Sequence, residues 1–416
     1  MIESDIAIIG AGPAGLIAAI EASQSNTRIV ILEKMDRPGR KLEISGKGRC
    51  NITNQADMES FLSHFGKNGR FLRQAFSYFF NTDLIAYLSE MGIQCKLERG
   101  GRYFLESDDA RELVEGLLKQ IHSKGIQLFT RSAVRSVKKI NQGFEVDANQ
   151  HFVRCEKLLV ATGGKSYPGT GSSGDGYHIA KSLGLQLTPI LPALVPLRIQ
   201  GSIPSHIGDL ELKNVQVSVW LDKSGKRKKA AVAFGEIAFR SYGVTGPVIL
   251  TLSKGIVESL SDNIPVFLQI DFKPALDHPK LDSRILREIK EAPKQAFRFL
   301  LSRLLPAKMI SVFSDILNIS LEKRLNQLNA GDRKRLRLLL KSFELSVSGY
   351  LSFNQAVITS GGISLREVES RTMASKTVPG LYLAGEVLDL DADTGGYNLQ
   401  AAFSTGWLAG RSMRMS

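Results

Sequence analysis

The stretch of sequence that decides the fold is Gly10-Ala11-Gly12-Pro13-Ala14-Gly15, near the start of the 416-residue chain. An apolar run over residues 5–9 precedes it, and we interpret this run as a buried strand. A helical pattern follows over residues 14–25, and an apolar run over residues 28–32 predicts the next strand. This βαβ unit implies a parallel sheet. Glycines at this spacing within such a unit are the dinucleotide-binding fingerprint.

Each glycine of the fingerprint has a physical role. Gly10 permits a tight turn, Gly12 lets the backbone approach a pyrophosphate, and Gly15 lets helix and strand pack closely. The helix N-terminus, which includes Ala14, offers free N–H groups and a favourable dipole to the phosphates. Glu33 ends the second predicted strand, 18 residues beyond Gly15. Its carboxylate is expected to accept two hydrogen bonds from an adenosine ribose.

A basic loop with several glycines follows Glu33. It contains Gly39-Arg40-Lys41 and then Ser45-Gly46-Lys47-Gly48-Arg49-Cys50-Asn51. Such a loop is able to wrap a diphosphate with backbone and side-chain donors, and the alternative is a basic surface loop. The candidate cofactor contacts in this part of the chain are Lys34, Arg40, Lys41, Ser45, Gly46, Gly48, Arg49 and Asn51. A further candidate is Val134, in a predicted hairpin over residues 126–153.

Two strand ends further along the chain are also candidate contacts. The apolar run over residues 157–162 ends in Ala161-Thr162-Gly163, as is typical where a chain crosses beneath a bound dinucleotide. A predicted strand over residues 380–386 ends in Gly385-Glu386, whose carboxylate is able to bond a ribityl hydroxyl. Between them, residues 169–174 repeat the glycine spacing without a second βαβ unit. We interpret that repeat as a loop that touches flavin or substrate.

A C-terminal helix is predicted to begin near residue 398, after Gly395-Gly396-Tyr397. The two glycines leave room for a ring to approach the backbone, and the first N–H groups of the helix are expected at the N1–C2 carbonyl edge of a flavin. Because reduced flavin carries negative charge at that edge, the helix would stabilise the reduced state. The candidate contacts are Asn398, Leu399 and Gln400, and the alternative is an ordinary capped helix.

The patterning between these motifs changes twice. Residues 191–275 are β-rich, and residues 276–345 are helical and rich in Leu, Lys and Arg. Because nucleotide-domain motifs return afterwards, we predict an α/β fold with a discontinuous Rossmann-like FAD-binding domain. Its first part would span residues 1–190. Residues 346–416 would return through the β-rich insertion and complete the FAD-binding domain.

Composition limits the remaining possibilities. The three cysteines form no CxxC pair, so neither a disulfide framework nor a metal site is expected, and a reducing cytoplasm fits best. No uninterrupted run of 18 apolar residues predicts a membrane span. The net charge of +13 favours anionic ligands. We attribute this excess to a solvated basic face and do not predict a nucleic-acid partner from it.

Together these motifs resemble the BaiN/YhiN-type flavoproteins, often labelled NAD(P)/FAD-dependent or aminoacetone-oxidase-like oxidoreductases. The resemblance covers almost the whole chain and is carried by residues 39–41 with 45–51, 164–168 with the glycine-rich tail, 243–247 and 395–400. It implies that the FAD domain is interrupted by a β-barrel-like insertion and a helical insertion. One described type of member reduces a conjugated C=C bond in a steroid-like substrate.

These observations predict a flavin-dependent oxidoreductase with FAD as its cofactor. The expected activity is that of a reductase or dehydrogenase, which passes hydride between NADH or NADPH, or a small organic substrate, and the flavin. The alternatives are an FAD-dependent oxidase of a small amine and an RNA-associated flavoprotein. The sequence singles out no catalytic residue, since in such enzymes the cofactor supplies the chemistry and the protein orients it.

Overall fold

The structure is a computed structural model that describes residues 1–24 and 27–416. The chain divides into two compact units. The first, which we call the nucleotide unit, consists of Met1–Pro192 and Ala356–Ser416. The second, which we call the inserted unit, consists of Ala193–Gln355.

A seven-stranded sheet forms the centre of the nucleotide unit. Its strands are β1 (Ile2–Ile9), β2 (Ile29–Leu32), β6 (Gln127–Phe129), β7 (Val134–Ile140), β8 (Gly143–Ala148), β9 (His151–Val160) and β18 (Leu381–Leu383). They are ordered β6-β2-β1-β9-β8-β7, and β18 also pairs with β9. The strands β2, β1, β9 and β18 run parallel to one another. Their carboxyl ends therefore meet at one edge of the sheet.

The other elements of the nucleotide unit surround this sheet. The remaining strands are β3 (Thr53–Asn54), β4 (Cys95–Glu98), β5 (Arg102–Leu105), β10 (Leu191–Ala193, which ends at the first residue of the inserted unit) and β17 (Ile358–Ser360). The helices are α1 (Pro13–Ala22), α2 (Arg40–Ile44), α3 (Met58–Ser63), α4 (Arg73–Tyr78), α5 (Asn81–Glu90), α6 (Ala110–Ser123), α7 (Asp175–Ser182) and α14 (Tyr397–Met415). The helix predicted over residues 14–25 ends at Ala22, and its predicted last residue lies outside the described residues.

Small residues let α14 pack closely against α1. A Cβ added at Gly406 would stand 2.3 Å from the carbonyl oxygen of Ala14, and one at Gly410 would stand 2.4 Å from that of Ala18. Such contacts are far shorter than van der Waals distance, so only glycine permits this approach. The close packing fixes the C-terminal helix against the helix that begins at the fingerprint.

The inserted unit combines a closed barrel with helices. The barrel strands are β11 (Leu197–Ile199), β12 (Leu210–Lys223), β13 (Lys226–Arg240), β14 (Gly243–Thr245), β15 (Val266–Asp271) and β16 (Phe343–Tyr350), in the order β11-β14-β13-β12-β15-β16. The helices are α8 (Ile203–Ile207), α9 (Pro247–Ser261), α10 (His278–Glu291), α11 (Phe297–Leu304), α12 (Ala307–Leu317) and α13 (Ala330–Lys341). Side chains of strands and helices share one hydrophobic core, which includes Val217, Leu268, Phe313 and Phe343.

This architecture confirms the predicted α/β fold, with a discontinuous Rossmann-like domain, a barrel and a helical insertion. One element differs from the prediction: helix α9 lies inside the range 191–275, which we expected to be β-rich. It begins at Pro247, a favoured first helical residue. Its buried residues Val248, Ile249, Ile256 and Val257 recur at helical spacing. The finer division at residues 190, 275 and 345 stays a prediction.

Candidate functional site

Four of the predicted motifs meet at the carboxyl edge of the parallel strands. The N–H of Gly10 donates to the carbonyl of Leu32 (2.9 Å), and the N–H of Ala161 donates to that of Ile9 (2.9 Å). The N–H of Ala384 donates to the carbonyl of Val160 (3.2 Å), which places Gly385 beside the end of β9. Ligands of open α/β sheets bind outside this edge of the sheet. We therefore take it as the candidate cofactor site.

The three fingerprint glycines are needed for different physical reasons. Gly10 has a φ of +103°, and a Cβ there would lie 2.5 Å from the carbonyl oxygen of Ala161. A Cβ on Gly15 would lie 2.0 Å from the carbonyl oxygen of Gly10, so these two glycines are required by the packing of the chain itself. Gly12 has an ordinary φ of −83°, and a Cβ there would meet nothing within 4 Å. Space beside Gly12, at the start of α1, fits the approach of a pyrophosphate.

Glu33 is held at the end of β2 by two backbone groups. Its Oε2 accepts from the N–H of Ala11 and its Oε1 from the N–H of Met35, each at 2.8 Å. A carboxylate has about four acceptor positions, so two remain for ribose hydroxyls. The segment that leads into β7 lies alongside, since the N–H of Ser132 donates to the carbonyl of Glu33 at 2.8 Å. Val134 follows two residues later, as the first residue of β7.

A half-buried polar network joins the basic loop to the last strand of the sheet. Lys41 donates to Glu386 and to the hydroxyl of Ser166, both at 2.7 Å. Glu386 also accepts from the N–H of Thr359 (2.9 Å) and from the hydroxyl of Ser166 (3.0 Å). The Lys41 and Glu386 side chains are 26% and 17% exposed. The network neutralises both charges and fixes these segments relative to one another.

Two members of this network, Ser166 and Thr359, were missed as site residues in the sequence analysis. Thr359 is fully buried, and its hydroxyl accepts from the N–H groups of Lys165 and Ser166. A Cβ on Gly164 would lie 2.5 Å from that hydroxyl. The signal in the sequence was the glycine pair at residues 163 and 164, but its partner lies almost 200 positions away and is invisible to a local pattern.

Arg49 is held by two carboxylates of the protein. Its guanidinium bonds both oxygens of Glu98, donates from Nε to Asp108 (2.8 Å) and lies 4.4 Å from the ring centroid of Phe104. Hydrogen bonds to Glu98 and then to Asp108 raise the pKa of Arg49. The rest of the loop has an unusual backbone, because Gly46, Lys47, Gly48 and Cys50 all have positive φ. The N–H groups of Arg49 and Cys50 are bonded within the loop, to the carbonyls of Gly46 (3.3 Å) and Ser45 (3.0 Å).

Replacing Arg49 by Ala should leave the FAD content of the purified protein unchanged, because its guanidinium is committed to Glu98 and Asp108. Replacing Lys41 by Ala should lower that content, because Glu386 would lose its counter-charge beside the strand ends. The measurement is flavin released per protein on denaturation. Loss of flavin in the Arg49 variant at normal thermal stability would show that this side chain turns to the cofactor.

The other basic side chains predicted to contact the cofactor also have protein partners. Lys34 donates to Asp175 (2.7 Å) and to the hydroxyl of Ser173, which ties the end of β2 to the glycine-rich loop before α7. Arg40 donates to Asp36 at 3.2 Å. The hydroxyl of Ser45 donates to the carbonyl of Leu42 at 2.7 Å. These contacts shape the loop around the candidate site.

The start of α14 is packed against β3. Gly396 has a φ of +95°, and a Cβ there would lie 2.4 Å from the carbonyl oxygen of Thr53. With its amide oriented to satisfy its neighbours, Asn51 accepts from the N–H of Gly396 (3.0 Å). A Cβ on Gly395 would lie 2.6 Å from the ring of Tyr397. Contacts within the chain therefore already require glycine at both positions, and the interpretation that these glycines also serve the approach of a flavin ring stays a prediction.

Side chains of the first turn of α14 hold neighbouring segments. Asn398 bonds both the N–H and the carbonyl of Ala392, at 2.8 and 2.9 Å. Gln400 is fully buried and donates to the hydroxyl of Ser404 at 2.9 Å. Leu399 is half-buried. The first intrahelical bond runs from the N–H of Gln400 to the carbonyl of Gly396 (3.1 Å), so the N–H groups of residues 397–399 precede it.

Cys50, the cysteine of the basic loop, is a buried free thiol. Burial raises the pKa of the Cys50 thiol to about 12, so it is protonated at neutral pH and a poor nucleophile. Within residues 1–24 and 27–416, no group of three or more His, Cys, Asp or Glu side chains is arranged to hold a metal ion. No helix in that part of the chain is long and apolar enough to cross a membrane.

Comparison with known proteins decides the family. Residues 4–412 match the family described as HI0933-like protein Rossmann domain. The chain belongs to this family. As a member it is a flavin-dependent oxidoreductase with a nucleotide-binding Rossmann fold, which confirms the enzyme class and the resemblance found in the sequence.

Two HI0933-like relatives match over nearly their whole length. The ribosomal RNA dihydrouridine synthase of Escherichia coli is 32% identical over 410 residues, which cover 98% of each chain. The 3-dehydro-bile acid delta(4,6)-reductase of Clostridium scindens is 29% identical over 409 residues, again 98% of each. Among solved structures, 3-ketosteroid-delta4-(5alpha)-dehydrogenase from Rhodococcus jostii RHA1 superposes with a TM-score of 0.52 at 14% identity, covering 99% of this chain and 97% of that one. At that identity the likeness shows the fold alone.

Proposed function

We propose that this chain reduces a C=C bond conjugated with a carbonyl group and takes hydride from NADH or NADPH. The observation that carries the proposal is the pair of full-length relatives. A delta(4,6)-reductase of a 3-dehydro-bile acid and a synthase of dihydrouridine differ in substrate but share one bond change, the saturation of a C=C bond next to a carbonyl system. NAD(P)H and a proton give NAD(P)+, and the two hydrogens end on the two carbons of the former double bond.

The residues at the strand ends fit FAD. When bound, FAD supplies a two-electron carrier between donor and substrate. The space beside Gly12 and the N-terminus of α1 would take the pyrophosphate, and Glu33 would accept from the adenosine ribose. The other candidate contacts from the sequence remain part of the proposed FAD site. They are Gly10, Ala14, Gly15, Lys34, Arg40, Lys41, Ser45, Gly46, Gly48, Arg49, Asn51, Val134, Ala161, Thr162, Gly163, Gly385, Glu386, Asn398, Leu399 and Gln400.

The division of labour among these candidates follows from their contacts. Gly12 and Glu33 have open space or free acceptor positions for a ligand. The side chains of Lys34, Lys41 and Glu386 are bonded to neighbours, so we assign them the task of holding the site in shape. The first N–H groups of α14 would supply positive potential to the flavin, as helix N-termini do for anions.

A second candidate function has the same reaction but a different substrate, RNA. The E. coli relative acts on ribosomal RNA, by its name, and this chain is strongly basic, with 54 Lys and Arg against 41 Asp and Glu. A uracil base carries a C=C bond conjugated with a carbonyl, so RNA is compatible with the same reaction. No contact among the described residues favours the amine-oxidase alternative.

Anaerobic stopped-flow reduction tests the proposal. NADH or NADPH should bleach the flavin absorbance, and a steroid 4-en-3-one or a uridine-containing RNA should restore it with one equivalent of saturated product. The corresponding saturated ketone serves as the control acceptor and should leave the flavin reduced. The proposal would be wrong, and the chain an oxidase, if an amine reduced the flavin, oxygen reoxidised it with formation of peroxide, and no conjugated acceptor reoxidised it.

A further inference from the structure

We propose that the outer face of the β12–β13 hairpin is a docking surface for single-stranded RNA. This hairpin face comprises Trp220, Arg227, Lys229, Val232, Phe234 and Phe267, with Lys223, Lys226 and Lys228 along its tip. The inference rests on the proposed function only in taking an RNA base as the group that is reduced. From composition we attributed the excess positive charge to a solvated basic face and predicted no nucleic-acid partner. The inference differs from that expectation because the structure shows where the charge lies.

The tip of the hairpin concentrates positive charge. Residues 223–235 contain five cations, at positions 223, 226, 227, 228 and 229, and no acidic residue. All five are exposed. Among the described residues, only Arg227 of the five has ion-pair partners, namely Glu344 (2.8 Å) and Asp222 (3.9 Å). The other four lysines therefore carry uncompensated charge that attracts a polyanion.

Aromatic side chains lie on the same face as two of the cations, Arg227 and Lys229. In the register, Trp220 stands opposite Lys229 on β13 and opposite Phe267 on β15, so all three share one face of the sheet. Lys229 lies 5.4 Å from the Trp220 ring centroid, and Arg227 lies 3.7 Å from that of Phe267. The indole N–H of Trp220 is buried and has no partner among the described residues.

Two apolar side chains on this face are exposed without protein cover. Phe234 is 62% exposed and Val232 is 54% exposed. Strand β14 pairs only with Ala238–Arg240 of β13, so residues 226–237 have one edge without a strand partner in the described chain. An exposed aromatic ring and a cluster of cations on one hairpin are the features that proteins use to stack bases and track a phosphate backbone.

Charge selects RNA over the other occupants. A second copy of this chain would bring an identical row of cations to the exposed edge, and like charges repel. An anionic membrane would match the charge of the lysines but has no planar bases to stack on the exposed ring of Phe234. A single-stranded RNA supplies phosphates for the lysines and bases for Phe234.

The test measures binding of a fluorescein-labelled, uridine-containing single-stranded RNA to the full-length holoprotein by anisotropy, over a series of salt concentrations. Replacing Lys226, Lys228 and Lys229 by Gln should reduce the slope of log K against log salt by about 2, since each phosphate contact on a single strand contributes about 0.7. Replacing Phe234 by Ala should weaken binding by about 10-fold or more at every salt concentration and leave the slope unchanged, because stacking involves no counterion release.

Matched controls lie on the nucleotide unit. Replacing Lys67, Lys119 and Lys138 by Gln removes the same charge from exposed positions, and Phe152→Ala removes another exposed ring. Equal losses in the control and hairpin variants would overturn the proposal by showing attraction to total charge. Binding to phosphatidylserine vesicles without RNA binding, or a change of oligomeric state in the Phe234 variant with RNA affinity intact, would also overturn it.

The hairpin variants also separate this inference from the reductase proposal. Each should reduce a small conjugated acceptor as fast as the unmodified protein, while its RNA affinity falls. Hairpin-dependent RNA binding without reduction of any conjugated acceptor would contradict the proposed function but would support the docking surface. Reduction of conjugated acceptors with no hairpin-dependent RNA binding would contradict the docking surface alone.

Discussion

A Gly12→Val variant is expected to fold normally and to purify without flavin. Gly12 has an ordinary φ, and a Cβ there meets nothing in the protein within 4 Å, so the apoprotein has no reason to reject a side chain. The same side chain would fill the space that a pyrophosphate needs at the start of α1, where the close approach of the backbone to the phosphates leaves no room for a side chain. Flavin released on denaturation and the melting temperature of the apoprotein measure the two effects separately.

The matched variant is Gly15→Val. Here a Cβ would stand 2.0 Å from the carbonyl oxygen of Gly10, so the first turn of α1 would have to leave β1. We expect loss of folded protein as well as loss of flavin. If Gly12→Val retained its full FAD content, the pyrophosphate would have to bind elsewhere than at the fingerprint.

A Glu33→Ala variant is expected to lose FAD affinity and some apoprotein stability together. The ribose would lose its acceptor, and the N–H groups of Ala11 and Met35 would lose theirs, each held at 2.8 Å. Removing one partner of such hydrogen bonds costs about 1–3 kcal/mol, which predicts FAD binding weaker by roughly 5- to 150-fold. Titration of the apoprotein with FAD measures the affinity, and urea unfolding of the apoprotein measures the stability.

Glu59→Ala is the control for that variant. Glu59 is an exposed carboxylate in an ion pair with Arg73, away from the fingerprint, so its loss removes the same charge without touching the cofactor site. Its FAD affinity should match that of the unmodified protein. An unchanged affinity in the Glu33 variant would mean that the carboxylate serves only the two backbone groups.

Local sequence predicted the βαβ unit well, because its signals are local. Strand β2 was expected over residues 28–32 and spans Ile29–Leu32, and the helix after the fingerprint begins at Pro13. The strand ends that carry candidate contacts lie together because parallel strands bring their carboxyl ends to one edge of the sheet. Helix α9 was missed because strand-like runs flank it on both sides.

Side-chain partners were less predictable, since they depend on residues far apart in the chain. Arg49 in a basic loop suggests a phosphate ligand, but its carboxylate partners come from residues 98 and 108 of another segment. Lys41 and Glu386 were both expected at the cofactor, and nothing local indicated that they bond each other. The exposure of Phe234 likewise depends on which elements cover the outer face of the barrel, and the alternating pattern alone does not show this.

The most direct test of FAD binding at the carboxyl ends of β1, β2, β9 and β18 is a crystal structure of the protein purified with its flavin. The expected density has the pyrophosphate beside Gly12 at the N-terminus of α1 and the adenosine ribose hydroxyls within hydrogen-bond distance of the Glu33 carboxylate. Flavin density away from these strand ends would contradict that placement. A ribose too far from Glu33 to form a hydrogen bond would also contradict it, because the carboxylate would then bond only the N–H groups of Ala11 and Met35.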